Sequence, residues 1–317
     1  MKIQTKKVKQ MLTKIKQYKK IVVFRHESPD FDALGSQYGM IQWLKHNFKD
    51  KVIIETGLTN SQIGANLFPK IKSEKIISPF LAIVLDTANK GRISGDAFKD
   101  ADYIIKIDHH PANDNFGDLN IIHTEASSVG ELLYYIFTSS SLKKYRLDKL
   151  TARYLMIGLI GDTGRLVYPS TTLDTINAFS ELTKKGIDLQ DIYRRMYQRG
   201  IEEIPVIKRI YNNLVITKEG LGYFYFLDKD QKELKIHPDE VTKYLPYLAN
   251  FKEIKIFASI TEDKKKAMYR VSVRSNDVVI NRVAQNFGGG GHIHAAGVKL
   301  KTLADSKKLI KALNQLL

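Results

Sequence analysis

The chain has 317 residues, 43% of them hydrophobic and 26% charged, with no low-complexity tract: a globular composition, long enough for two domains of ordinary size or one large one. It contains no cysteine, which excludes disulfides, thiolate metal sites and cysteine nucleophiles. Lys and Arg number 50 against 34 Asp and Glu, and the net charge of +16 favours an anionic partner such as a nucleotide or nucleic acid.

The first segment, MKIQTKKVKQMLTKIKQYKK, is basic but never becomes a continuous apolar core, so it does not read as a signal peptide. Ile3, Val8, Met11, Leu12 and Ile15 fall near helical spacing, which predicts an amphipathic helix that packs on a sheet. No stretch approaches the length of a membrane span, and a soluble, cytoplasmic protein is expected. Ile21–Phe24 is a short buried strand by its β-branched content, followed by a helix over Ala33–His46 and a strand over Val52–Glu55. Leu81–Leu85 and Tyr103–Ile107 continue the series. Strands this apolar, separated by stretches long enough for helices, predict an α/β fold: a parallel sheet with helices on both faces. Ser127–Phe137, Leu147–Ile160 and Leu173–Lys184 read as helices, the last stopped by Gly186.

Texture then changes. Leu189–Met196 and Ile201–Val215 look helical and bridge the halves, while Gly222–Leu227, Ile254–Ser259 and Ala267–Val273 alternate as strands do. Val278–Asn286 and Leu303–Leu316 are helical again. The expected division is a catalytic domain over 1–187, a helical linker over 188–208 and a smaller α/β domain over 209–317.

Four clusters in the first half close apolar runs: HESPDFD at His26–Asp32, LDT at Leu85–Thr87, DHH at Asp108–His110 and GDTG at Gly161–Gly164. In an extended segment Asp30 and Asp32 would point to one side, with His26 at the end of the preceding strand. Asp86 ends LAIVL, where an unpaired carboxylate is costly to bury; its central strand suits it to bridge two cations. Asp108 can orient an imidazole while one of His109 and His110 binds metal and the other reaches substrate. Glycines on both sides of Asp162-Thr163 let the backbone approach a ligand closely. Two imidazoles and four carboxylates without sulfur suit a pair of Mn²⁺ ions, with Mg²⁺, Co²⁺ or Zn²⁺ as alternatives. Such a pair most often serves phosphate-ester hydrolysis by in-line attack. In the second half, FGGGGHIHAAG at Phe287–Gly297 offers successive backbone N–H groups to an anion, and Arg274 ends a strand where it could grip a phosphate.

In this order, HxxxDxD, D, DHH, GDTG, RS and GGGGHxxAAG, the chain resembles the DHH/DHHA1 phosphoesterases, and the nanoRNase/pAp-phosphatase group in particular. The resemblance covers nearly the whole sequence. It implies that His26, Asp30 and Asp86 hold one Mn²⁺, and that Asp32, Asp86, His109 and Asp162 hold the second. Asp108 would support the site and His110 would face the scissile phosphate. Arg274, Ser275 and His292 match substrate-binding positions, with Gly288, Gly289, Gly290 and Gly291 cradling a terminal phosphate or base. A cleft between the domains would hold the substrate. Phe31 replaces a usual small residue, and Leu166 stands where an aromatic is common. The implied activity is hydrolysis of short single-stranded RNA or DNA oligonucleotides to mononucleotides, with 3′-phosphatase action on 3′-phosphoadenosine 5′-phosphate (pAp) and cleavage of pApA. The alternatives are a nucleotide- or RNA-binding protein without a catalytic step, and a longer-strand exonuclease of the same superfamily.

Overall fold

The computed structural model describes the whole chain except residues 58–66, 70–75 and 112–113 and the side chain of residue 292. It divides into two compact units, Met1–Gln198 and Arg199–Leu317.

Among its described residues the first unit carries five parallel strands: β1 (Lys20–Phe24), β2 (Val52–Glu55), β3 (Leu81–Leu85), β4 (Tyr103–Asp108) and β5 (Leu119–Ile122). They lie in the order β2-β1-β3-β4-β5. Sheet alternation sorts their side chains. Ile21, Val23, Leu81, Ile83, Leu85, Ile105 and Ile107 join one core, while Val22, Phe24, Ala82 and Val84 join another on the opposite face. All five residues of β3 are buried, and side chains such as Leu81, Ile83, Val84 and Leu85 contribute about 1.5–3 kcal/mol each. Two-sided burial explains why LAIVL reads as an unbroken apolar run.

The first face is covered by α1 (Thr5–Gln17), α2 (Phe31–Asn47), α3 (Val129–Phe137), α4 (Lys149–Asp162), α5 (Leu173–Thr183) and α6 (Leu189–Tyr197). The amphipathic N-terminal helix is present: Val8, Met11 and Ile15 are buried, and Lys7 Nζ donates to the Asn120 carbonyl of β5 at 2.7 Å. The second face has lighter cover among the described residues, a 3-10 turn at Ala97–Asp100 that lays Phe98 edge-on against Phe24, together with loop residues such as Phe80 and Ile93. No described helix is long and apolar enough to cross a membrane. Between β1 and β3 the connections diverge to opposite sides of the sheet. The carboxyl ends of strands at such a switch point form the crevice where open α/β sheets bind ligands.

The second unit holds α7 (Ile204–Asn213), β6 (Val215–Ile216), β7 (Leu221–Phe226), α8 (Asp228–Leu234), β8 (Ile256–Asp263), β9 (Met268–Ser275), α9 (Asn281–Asn286), β10 (Gly290–His292), β11 (Ala295–Leu300) and α10 (Leu303–Asn314). Its sheet runs β10-β11-β9-β8-β7-β6 and is antiparallel apart from the β7–β8 pair. The glycine-rich stretch is in part a strand: Gly290 and Gly291 pair with Gly297 and Ala296 in a hairpin whose turn is Ile293-His294.

Candidate metal centre

The four clusters of the first unit converge at the switch point. His26 follows β1, Asp86 follows β3, Asp108 ends β4 and Asp162 ends α4. The extended arrangement expected for Asp30 and Asp32 is not found, because both belong to the start of α2. Asp30 is its N-cap, with Oδ1 accepting from Ala33 N at 2.9 Å, while Oδ2 lies 3.7 Å from His26 Nε2. Asp32, in the first turn, is fully buried, and its oxygens accept from Val129 N (2.6 Å) and Gly130 N (2.9 Å) at the start of α3. A helix N-terminus favours such a carboxylate.

Asp86 stands at the centre. Its φ of +49° puts it in the left-handed region, which non-glycine residues occupy at a cost and mostly where function demands it. Oδ2 lies 3.5 Å from His26 Nε2, and Oδ1 lies 3.5 Å from His109 Nε2, which is in turn 3.4 Å from Asp162 Oδ2. Two groups of potential ligands result, His26–Asp30–Asp86 and Asp32–His109–Asp162, each with its ligand atoms within 4.8 Å of one another. Asp86 also groups with His109 and His110. These separations are long for hydrogen bonds. They are near the roughly 3 Å expected between neighbouring ligands that share one cation at about 2.1 Å.

Two further observations fit a cation. Asp86 Oδ1 is buried with no hydrogen-bond partner among the described residues, an unfavourable state for a carboxylate oxygen. Both imidazoles are turned so that Nδ1–H donates to a backbone carbonyl, His26 to Glu27 O (2.6 Å) and His109 to Ala126 O (3.1 Å). Each Nε2 then faces the carboxylates, as metal-binding histidines are usually held. His110 is set differently, because its Nδ1 pairs with Asp108 Oδ1 at 2.8 Å. The same oxygen accepts from the backbone N–H of His109 (2.9 Å) and His110 (3.3 Å).

Charge crowding shows in the titration of these groups. Burial opposes a charge on His26, but pairing with Asp30 and Asp86 carries its pKa up to about 10. His109 is likewise raised against its burial by Asp86 and Asp162. Burial would raise Asp86, yet the flanking His109 and His26 hold it below the ordinary carboxylate range. Burial and the Asp86 charge push Asp32 up to about 8, and burial with the Asp32 charge raises Asp162. At neutral pH the imidazoles therefore carry protons that a cation must displace. Cation binding should release protons at pH 7, and affinity should strengthen as pH rises toward 10. Calorimetry in buffers of different ionisation enthalpy reads this directly, and a heat independent of buffer would contradict it.

Sequence reasoning missed the glycines that let Asp32 in. An added Cβ at Gly158 would stand 2.5 Å from Asp32 Oδ1, and one at Gly35 would stand 2.6 Å from Gly158 N. The GDTG glycine Gly161 makes room for Phe31 in the same way. A signal existed: small residues recur on the facing sides of α2 and α4.

In the second unit, Arg274 lies in β9 between Phe257 and Ala295, in the row that β10 extends with His292. The side chain of His292 lies outside the described residues. Gly288, Gly290 and Gly291 are exposed and Gly289 is half-buried. At Gly291 a φ of +137° and the Ala295 carbonyl, 2.3 Å from where a Cβ would stand, require glycine. Ser275, expected to touch substrate, is buried with its hydroxyl 2.5 Å from Val278 O and 3.2 Å from His294 Nδ1.

Comparison with known proteins agrees with this layout. Residues 20–159 match the DHH family N-terminal domain, and residues 221–317 match the DHHA1 domain. A Streptococcus mutans protein named probable bifunctional oligoribonuclease and PAP phosphatase NrnA is 34% identical, over 98% of both chains. The chain belongs to the DHH family, with a DHHA1 domain. A second DHH relative, the bifunctional oligoribonuclease and PAP phosphatase NrnA of Bacillus subtilis, is 27% identical over 97% of both chains. Among solved structures, an exopolyphosphatase-related protein from Bacteroides fragilis superposes with a TM-score of 0.84, covering 99% of this chain and 96% of its own. At 23% identity that likeness speaks for the shared fold alone. The DHH motif of the family name is here Asp108-His109-His110.

Proposed function

We propose that the chain is a cytoplasmic Mn²⁺-dependent phosphodiesterase that hydrolyses short oligoribonucleotides to mononucleotides and also removes the 3′-phosphate of pAp. The observation that carries this reading is the division of the Asp86 carboxylate, one oxygen toward His26 and the other toward His109. The names borne by the Streptococcus mutans and Bacillus subtilis relatives support the substrate class. In this reading His26, Asp30 and Asp86 hold one cation, and Asp32, Asp86, His109 and Asp162 hold the other. Two such cations supply an activated water and spread the charge that develops on the phosphoryl oxygens. Asp108 fixes the His110 ring through Nδ1, so that a proton passed to the leaving oxygen comes from Nε2. Arg274 and the glycines Gly288–Gly291 bind a substrate phosphate or base, and Ser275 holds the hairpin turn through His294.

Purified protein with Mn²⁺ should turn over di- to pentanucleotide RNA, pAp and pApA. Absence of turnover on all of them by folded protein would overturn the proposal. Arg274→Ala should raise KM about 10–100-fold, the worth of a charge-assisted hydrogen bond, with a smaller change in kcat. Steady-state kinetics on a dinucleotide checks it.

A further inference from the structure

Lys106 is a lysine with no solvent exposure, set in β4. Burying an ammonium costs several kcal/mol unless its protons and charge are answered. Here Nζ donates to Ala88 O (2.9 Å) and Asp114 O (2.8 Å), lies 3.3 Å from Asp108 Oδ2, and stands 4.7 Å from the centre of the Phe116 ring. Ala88 follows Asp86 by two residues, and Asp114 follows the DHH motif, so one cation ties the segments leaving β3 and β4. Residues i and i+2 of a strand share a face, which puts Lys106 directly below Asp108. Asp108 Oδ1 serves His109 and His110, while Oδ2 is buried, has no hydrogen-bond partner among the described residues and faces the ammonium.

We propose that Lys106 is a positioning residue. Its buried charge answers Asp108 Oδ2, keeping that carboxylate committed to His110 and out of the cation's ligand set, and thereby fixes the His110 ring for the reaction. The catalytic part rests on the function proposed above; the positioning of His110 does not. Lys106 touches none of His26, Asp30, Asp32, Asp86 or Asp162 in the contacts described, so its removal should spare cation binding.

The test is Lys106→Met in the full chain, with Lys106→Gln as a second variant that keeps hydrogen bonding without charge. Dinucleotide hydrolysis should lose about 10–100-fold in kcat, the usual effect of losing a group that orients a reacting one, with KM and Mn²⁺ affinity within about threefold or affinity higher. Because Lys106 acts through Asp108, the Lys106→Met/Asp108→Asn double variant should be no slower than Asp108→Asn alone. In ¹⁵N-histidine spectra the His110 Nδ1–H signal should weaken or shift in Lys106→Met. Additive losses, unchanged kcat, Mn²⁺ affinity falling in step with kcat, or unfolding of both variants would overturn the proposal. If the wild type turned over no substrate, the function would fail by itself. The His110 signal would still decide the role of Lys106, and an unchanged signal would refute it.

Discussion

Asp86→Asn should lose hydrolysis by about 10³-fold or more, since each 1.36 kcal/mol of lost transition-state stabilisation is tenfold and a bridged cation pair supplies several. The substitution keeps the side-chain shape but removes the charge that faces His26 through one oxygen and His109 through the other. The His26–Asp30–Asp86 group is incomplete without it, and in the proposed arrangement the second cation loses a ligand too. Steady-state kinetics should show the loss in kcat, and calorimetry should show weaker binding of both cations. Circular dichroism should be unchanged, because β3 is anchored by Leu81–Leu85 rather than by Asp86. A protein that only bound nucleotides would keep its affinity for a short oligonucleotide and have no turnover to lose. An active Asp86→Asn variant would remove Asp86 from the reaction.

Gly158→Ala should be harmful in the opposite sense from most glycine replacements in helices. Glycine-to-alanine inside a helix ordinarily stabilises by about 1 kcal/mol. At this position the new methyl carbon would stand 2.5 Å from Asp32 Oδ1. Asp32 cannot swing aside without giving up Val129 N and Gly130 N, and α4 cannot retreat without opening its close contact with Gly35. Overpacking of this kind costs about 1–3 kcal/mol. Displacing a carboxylate of the proposed cation centre by about 1 Å can cost on the order of 10²-fold in rate. Thermal melting and kcat/KM should therefore fall together. A variant that melts higher and keeps its activity would show that the approach of α2 and α4 is looser than described.

The site was legible because its ligands continue the alternation of the strands. Val22, Phe24 and His26 run along one face of β1; Ala82, Val84 and Asp86 do so in β3; Ile104, Lys106 and Asp108 do so in β4. An apolar run that ends in an acid or imidazole two residues on marks a buried strand delivering a functional group. What sequence did not reveal depends on contacts between distant segments. Asp30 and Asp32 looked alike, yet one caps α2 and the other caps α3, which lies about a hundred residues further on. Lys106 read as an ordinary strand residue, because nothing local shows that two carbonyls and a carboxylate await its ammonium. β5 was missed because LNII is an edge strand with only every second residue buried. β10 was missed because glycines carry no side-chain alternation to read.

Anomalous diffraction from crystals soaked in Mn²⁺ tests the two-cation centre most directly. Two peaks about 3.5–4 Å apart should flank Asp86, one contacting His26 and Asp30 and the other contacting Asp32, His109 and Asp162. A soak that places manganese elsewhere on the chain, with no peak at the Asp86 carboxylate, would contradict it.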